Sequence, residues 1–274
     1  MAKSINLVIS DIDGTILTSD HQLPQKVAQS IMQLEQKKIP FVLASARSPK
    51  GMLEITQALR LTSPIVSYNG AYVVTRQQDT YQEIISHPLN PQEAKMILQW
   101  TKNRFPEISI NLYAGTEWYV FHKDIWVREE MRITQIVPQL CSLEALLDEN
   151  IAIHKILFIG KKADIACLMS ELRDHPLAHS AFYLSKENYL EFTHKAVSKE
   201  QAVKELASYY QLPLTEVMTI GDNFNDLPML KAAGLGIAMG NAPAEVKEFA
   251  DAVTLDNDHF GAAVAIDKYI LAKQ

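Results

Sequence analysis

The sequence predicts an α/β protein built on a parallel sheet with crossover helices, interrupted by a second, inserted α/β unit. Three observations predict it. Apolar runs that read as buried strands alternate with stretches of helical spacing from Ile5 to Ser67. Polar residues able to do chemistry follow those strands directly. From Pro88 to about Glu187 the chain turns rich in bulky aromatics, and the first pattern resumes after it.

Composition bounds the rest. The 274 residues suffice for one large domain or two modest ones. Hydrophobic content of 47% and charged content of 21% are ordinary for a globular protein. A net charge of −6 offers no global attraction for nucleic acid or an anionic membrane, so neither is expected as a partner. Cys141 and Cys167 stand in unrelated contexts, with neither a disulfide framework nor a CxxC pair, which fits a reducing cytoplasm. The N-terminus enters a strand without the apolar segment of a signal peptide, and no apolar run reaches membrane-spanning length.

In chain order, Ile5–Ile9 is the first strand and leads into Ser10-Asp11-Ile12-Asp13-Gly14-Thr15-Ile16. Two carboxylates so close to an apolar strand end repel each other and call for pairing or a metal. A helix follows from Pro24 to about Lys38, with Val27, Ile31 and Leu34 at helical spacing. Strand Pro40–Ala44 ends at Ser45-Ala46-Arg47, a helix runs from Pro49 to about Leu61, and strand Pro64–Ser67 ends at Tyr68-Asn69-Gly70-Ala71. A hairpin spans Ala71–Ile85. In the insert, helix Pro91–Arg104 precedes strands near Ser109–Tyr113 and Glu117–Phe121, then strand His154–Ile159 and helix Lys162–Asp174. Ser198-Lys199-Glu200-Gln201 reads as a capping box opening a helix with Ala202, Val203, Leu206 and Tyr210 on its apolar face. Strand Glu216–Ile220 ends at Gly221-Asp222-Asn223-Phe224-Asn225-Asp226. Short strands Gly236–Met239 and Asp251–Leu255 flank a helix, and a last helix runs from Gly261 to about Ala272. The expected division is 1–86 with 190–274 as the core, and 87–189 as the insert.

The strand ends carry the chemistry. Asp11/Asp13, Ser45, Asn69 and Asp222/Asn225/Asp226 all follow core strands, the edge where open parallel sheets bind ligands. Lys199 joins them from the first turn of a helix. Carboxylates, a hydroxyl and amides without Cys or His favour Mg²⁺ over zinc. Mg²⁺ beside a lysine and a hydroxyl suits a phosphoryl group, with one carboxylate as nucleophile and a second as acid and base.

On these motifs the chain resembles Cof-type (subfamily IIB) phosphatases of the haloacid dehalogenase superfamily, over nearly its whole length. The resemblance implies a Rossmannoid core with an inserted cap of the C2 type that supplies substrate specificity. It implies that Asp11 is the nucleophile and Asp13 the acid/base. Mg²⁺ would be held by Asp11, the backbone carbonyl of Asp13 and Asp222, with Asp226 in support. Ser45 and Lys199 would bind phosphate, with Asn69 and Asn225 as the active-site amides. Met239-Gly240-Asn241-Ala242 matches a further signature of more structural character. Three departures stand out: Ser45-Ala46-Arg47 for the usual Thr-Gly-Arg, Lys199-Glu200 for Lys-Gly, and Phe260 for an acidic residue.

Plain structural roles compete at several positions. Ser45 and Asn69 suit turns, Asn225 a helix N-cap, Asp226 the first turn of a helix, and Arg47 a salt bridge or helix start in place of phosphate binding. His175 and His179 have metal-pair spacing, but Pro176 between them points to a surface loop. The aromatics of the insert read as core more than as a ligand platform, and Trp118, Arg128 and Asn188 are its candidates for facing the site. The expected function is a Mg²⁺-dependent phosphatase of a small phosphorylated metabolite, such as a sugar phosphate, working through an aspartyl-phosphate as a monomer or weak homodimer. A phosphomutase or phosphotransferase shares the covalent step. A non-catalytic metabolite sensor has no need of the Asp11/Asp13 pair.

Overall fold

The computed structural model describes residues 4–272, apart from 79, 149–150, 174 and 176. Along the chain the elements are β1 (Leu7–Ser10), α1 (Gln25–Gln36), β2 (Phe41–Ala44), α2 (Leu53–Ala58), β3 (Ile65–Ser67), β4 (Tyr72–Gln77) and β5 (Thr80–Ser86). Then come α3 (Pro91–Arg104), β6 (Ser109–Ala114), β7 (Glu117–Val120), α4 (Ile125–Thr134), β8 (Gln139–Leu140), α5 (Leu143–Asp148), β9 (Lys155–Ile159), α6 (Lys162–Leu172), β10 (Ser180–Lys186) and β11 (Tyr189–His194). The last are α7 (Lys199–Tyr209), β12 (Val217–Gly221), α8 (Leu227–Ala232), β13 (Leu235–Ala238), α9 (Ala244–Glu248), β14 (Ala252–Val253) and α10 (Gly261–Ile266). No helix among the described residues is long and apolar enough to cross a membrane.

The chain divides into two compact units, one of Met1–Arg47, Met52–Ile84 and Ser198–Gln274, the other of Ser48–Gly51 and Ile85–Val197. The sequence expectation set the second division between 189 and 190. That point falls at the start of β11, which pairs on both sides within the second unit's sheet.

The first unit holds an eight-stranded sheet in the order β14-β13-β12-β1-β2-β3-β4-β5. Strands β14 through β3 are parallel neighbours, and β4 runs antiparallel to β3. The central strands β12, β1, β2 and β3 are buried along their whole length, Phe41-Val42-Leu43-Ala44 among them, as a sheet covered on both faces requires. From β1 the chain moves to β2 and β3 on one side, and returns through β12 to β14 on the other. The connections therefore part at the carboxyl ends of β1 and β12, the crevice in which such sheets bind ligands. Val27, Ile31 and Leu34 are the buried stripe of α1, as their spacing predicts. The helix expected over Pro49–Leu61 is shorter: a 3₁₀ turn at Lys50–Met52 leads into the six-residue α2, with Gly51 weakening the first turn.

The second unit holds a six-stranded sheet in the order β10-β11-β9-β6-β7-β8, antiparallel except for β7 with β8. Side chains alternate across it with the period of a strand. Leu112, Ile156 and Phe192 fall in one register row and Ile110, Phe158 and Leu190 in another, and both rows pack with Ile97 and Leu98 of α3 and Ile165 and Leu168 of α6. Trp100, Phe105, Tyr119 and Phe121 close over that core. The opposite face carries Asn111, Tyr113, Lys155, Glu191 and Thr193, also buried. There the Trp118 indole donates to Asn111 Oδ1 at 3.1 Å, and Lys155 lies 3.6 Å from Glu191 and 4.9 Å over the Tyr113 ring. Arg128 is exposed on α4 and Asn188 half-buried ahead of β11.

Candidate active site

Strand register assembles the site. Ser10 of β1 pairs with Ile220 of β12 and with Leu43 of β2, so the residues just beyond these strands, Asp11, Asp222 and Ser45, emerge side by side. Asp11 N–H donates to the Ile220 carbonyl and Ser45 N–H to that of Val66, continuing the ladders one residue past the sheet. Asn69 N–H then donates to the Ser45 carbonyl at 2.9 Å. Tyr68 and Asn69 both take left-handed backbone angles (φ 53° and 57°), which β-carbon crowding makes uncommon outside functional turns. Gly70 follows at φ 115°, where a Cβ would sit 2.7 Å from the Ser198 carbonyl. That close approach seats the start of α7, and with it Lys199, against the β3 loop.

Lys199 is the hub. Its side chain is wholly buried, and its ammonium donates to Asp11 Oδ1 and, at 2.6 Å, to Asp226 Oδ1. Ser198 caps the helix by accepting the Gln201 N–H at 3.1 Å. The expected capping box is half-made, because the Gln201 amide turns to Glu205 instead. Asp226 stands at the N-cap position of α8, but its side chain reaches back: Oδ2 accepts the backbone N–H groups of Asp222 (3.0 Å) and Asn223 (3.1 Å), closing the loop on itself. Asp222 Oδ1 accepts from the Thr15 hydroxyl at 2.8 Å. Gly14, at φ 79°, is needed there, since a Cβ would meet Asp222 Oδ2 at 2.5 Å. The Asn241 amide bridges the Gly14 carbonyl (2.9 Å) and Asp222 Oδ2 (3.5 Å).

Electrostatics follow from burial and from the excess of acid. Carboxylate oxygens of Asp11, Asp222 and Asp226 lie within 4.8 Å of one another, the single group of three or more metal-capable side chains among the described residues. Burial pushes the Asp11 carboxyl well above the usual range; Asp226 and Asp222 add to this, and Lys199 opposes it. Burial likewise pushes Asp222 up to about 6, with the Thr15 hydroxyl opposing and Asp226 adding. Burial works against the charge of Lys199, but Asp11 and Asp226 outweigh it and hold that ammonium's pKa above the ordinary lysine value. Three acids around one ammonium leave negative charge uncompensated, and the all-oxygen donor set fits a hard cation.

The sequence-predicted residues divide into groups. Asp11, Lys199, Asp222 and Asp226 form the connected cluster. Ser45 is buried beside Asn69, and its hydroxyl accepts the Arg47 N–H at 3.2 Å. Asp13 is half-exposed and turns its carboxylate to Arg47. Asn225 is exposed in the loop after β12, its amide joined to none of the others, and it is not the N-cap of α8. Arg47 makes the salt bridge expected of it, with Asp13 as the partner, and Thr15 and Asn241 are the residues whose contacts the sequence does not show. Thr15 lies inside the first motif and Asn241 inside a signature of structural character, so position alone assigns neither a partner. His175 meets Trp100 edge-on (4.7 Å), whereas His179 lies near-parallel to His194 (6.5 Å), so the two histidines do not share a site.

Comparison with known proteins places the whole chain in a family. The sequence profile of the haloacid dehalogenase-like hydrolase family matches residues 8–266. A Haemophilus influenzae relative is 32% identical over 264 residues, covering 95% of this chain and 97% of its own length. A Bacillus subtilis 5-amino-6-(5-phospho-D-ribitylamino)uracil phosphatase is 24% identical over 266 residues, covering 96% and 97%. Among solved structures, a haloacid dehalogenase-like hydrolase from Bacteroides thetaiotaomicron superposes with a TM-score of 0.86 at 26% identity, covering 97% of this chain and 99% of its own. With the family profile matching nearly the whole chain, on both flanks of the insert, the chain belongs to the haloacid dehalogenase-like hydrolase family.

Proposed function

We propose that the protein is a Mg²⁺-dependent phosphatase of a small phosphorylated metabolite, working through an aspartyl-phosphate on Asp11. The observation that carries this reading is the cluster in which the ammonium of Lys199 is shared by buried Asp11 and Asp226, with the half-buried Asp222 carboxylate beside them. A monoester dianion alone would worsen the local charge; a divalent cation with it would balance the excess acid. The donors fit Mg²⁺: Asp11 and Asp222 offer carboxylate oxygens, Asp13 a backbone carbonyl, and Asp226 steadies the loop that carries Asp222. When bound, Mg²⁺ supplies positive charge to the phosphoryl oxygens and keeps the Asp11 carboxylate ionised.

The chain's own groups divide the remaining work. Lys199 holds Asp11 Oδ1 in place and neutralises charge that develops on phosphorus. The Ser45 hydroxyl and the Asn69 amide, at neighbouring strand ends, take phosphoryl oxygens. Asp11 attacks in line, and Asp13 gives the leaving oxygen its proton. Asp13 then takes a proton from the water that clears Asp11. The second unit acts as the cap that selects the leaving group. The Bacillus relative's named substrate, a phosphate ester on a ribityl chain, supports this substrate class.

The test is a panel of sugar, nucleotide and cofactor phosphates assayed with Mg²⁺ and with EDTA, reading both inorganic phosphate and positional isomers. We expect phosphate release from at least one ester, lost in EDTA. Isomer formation without phosphate release would make the protein a mutase. No turnover of any ester with Mg²⁺ present would overturn the catalytic reading.

A further inference from the structure

Asp13 is set apart from the other acids. Asp11 and Asp226 share Lys199, whereas both oxygens of Asp13 are engaged by a single guanidinium. Arg47 Nε donates to Oδ2 at 2.9 Å and Nη2 to Oδ1 at 2.6 Å, the two-pronged geometry that fixes a carboxylate plane. Arg47 is itself held at both ends of its backbone: its N–H donates to Ser45 Oγ, and its carbonyl accepts the Tyr68 N–H at 3.2 Å. On the other side His21 Nδ1 lies 3.6 Å from Asp13 Oδ1, at a left-handed residue (φ 56°). The His21 loop is pinned in turn, by Ser19 to Asp258 and by the Leu17 carbonyl to Asn257. The Asp13 side chain is 42% exposed, so without such partners it would sample several rotamers.

We infer that Arg47 is a positioning residue for the proton-transfer carboxyl of Asp13, an inference that rests on the acid/base reading above. In the first half-reaction an Asp11 oxygen bonds to phosphorus as the ester P–O bond breaks. The leaving oxygen keeps the electron pair and takes a proton from Asp13, giving the free alcohol and the Asp13 carboxylate. In the second, water bonds to phosphorus, the bond to Asp11 breaks, and Asp13 takes the water's proton. Both transfers need one Asp13 oxygen at the same place, and misplacement by about 1 Å costs on the order of 10²-fold in rate. Arg47 meets neither the phosphoryl group nor the leaving group in this scheme; its fork is spent on Asp13.

The experiment compares wild type, Arg47→Gln, Arg47→Lys and Asp13→Asn, each with Mg²⁺, on two esters. One is an alkyl phosphate, whose leaving oxygen must be protonated; the other is p-nitrophenyl phosphate, whose phenolate leaves without a proton. Rapid quench of the first turnover isolates ester cleavage from the later water step, and thermal melts confirm that each variant is folded. Arg47→Gln should slow alkyl cleavage by about 10²-fold and aryl cleavage by no more than about 3-fold, with KM for both esters kept. Arg47→Lys, which keeps the charge but not the fork, should fall between wild type and Arg47→Gln. Equal slowing of both esters, a raised KM, or unchanged rates would overturn the inference. Asp13→Asn is the reference, expected to lose about 10²- to 10⁴-fold on the alkyl ester alone. If Asp13→Asn shows the leaving-group dependence and Arg47→Gln does not, only the role of Arg47 falls; if neither does, the acid/base reading falls with it.

Discussion

Each unit of the molecule buries a lysine among acids, and the two sites are built on opposite principles. In the second unit Lys155 faces one carboxylate, Glu191, with the Tyr113 ring beneath it. Glu191 in turn accepts the Tyr183 hydroxyl at 2.8 Å, and Asn111 accepts the Trp118 indole. One positive charge meets one negative charge, and the neighbouring polar groups pair with each other. In the first unit Lys199 faces two aspartates with a third beside them, and the pKa values of Asp11 and Asp222 rise because burial and repulsion from neighbouring acids exceed what one ammonium can offset. Balanced burial builds a core with a polar layer. Unbalanced burial at a strand-end crevice is a site whose charge is completed by what binds there.

The largest effect should come from removing each lysine in turn. Lys199→Met is expected to lower kcat by about 10²- to 10³-fold, the usual loss when one charge-stabilising donor is deleted from an active site. Lys155→Met should leave Mg²⁺ affinity unchanged and instead cost stability on the order of 3–5 kcal/mol, because it strands the buried Glu191. Adding Glu191→Leu should recover much of that stability, read by urea melts. A Lys155→Met variant that lost Mg²⁺ binding while keeping its stability would break the comparison.

A smaller effect tests the structural side alone. His154, at the foot of β9, accepts the Gly115 N–H on Nδ1 at 2.9 Å, so its other nitrogen carries the hydrogen and meets Ser86 Oγ at 3.0 Å. Burial, with His87 adding, holds its pKa down at about 4 from an ordinary 6.5. The folded state therefore binds fewer protons than the unfolded chain between those values. The stability this contributes is complete above pH 6.5 and is lost as pH falls towards 4. By pH 5 the loss should reach about 2 kcal/mol, and His154→Gln should flatten the dependence. Urea melts at pH 7 and pH 5 read it; an unchanged slope in the variant would assign the acid sensitivity elsewhere.

How much of this was legible in the sequence depends on the length of chain over which the signal ran. The alternation of strands and helices in the first unit, the helix Pro91–Arg104 and the chemistry at strand ends could each be read from local pattern. Asp11 and Asp222 were legible together because both follow apolar runs, and a parallel sheet brings such ends to one edge. Elements were missed where the pattern was short or weak. The six residues of α8 span too few turns to show periodicity, so only its start near Asn225 and Asp226 is legible, from residue type. Edge strand β10 exposes four of its seven residues and so lacks a clean alternation, and its partner β11 is no more legible without it. Helix α4 did carry signals, with Asp124 as N-cap and Val127 and Glu130 on its buried face, that went unused. The fork from Arg47 to Asp13 spans |i−j| of 34, and pairing at that distance is a property of the fold, invisible to spacing.

The central claim is that Asp11 forms a covalent bond to phosphorus. The direct measurement is to mix enzyme, Mg²⁺ and a turned-over phosphate ester for a single turnover, quench in acid, reduce any acyl phosphate with borohydride, and map the peptides by mass spectrometry. The account predicts reduction at Asp11 alone, absent in EDTA and absent in Asp11→Asn, which should also have lost turnover. Full turnover with no trapped species at any quench time, or label on another side chain, would contradict it.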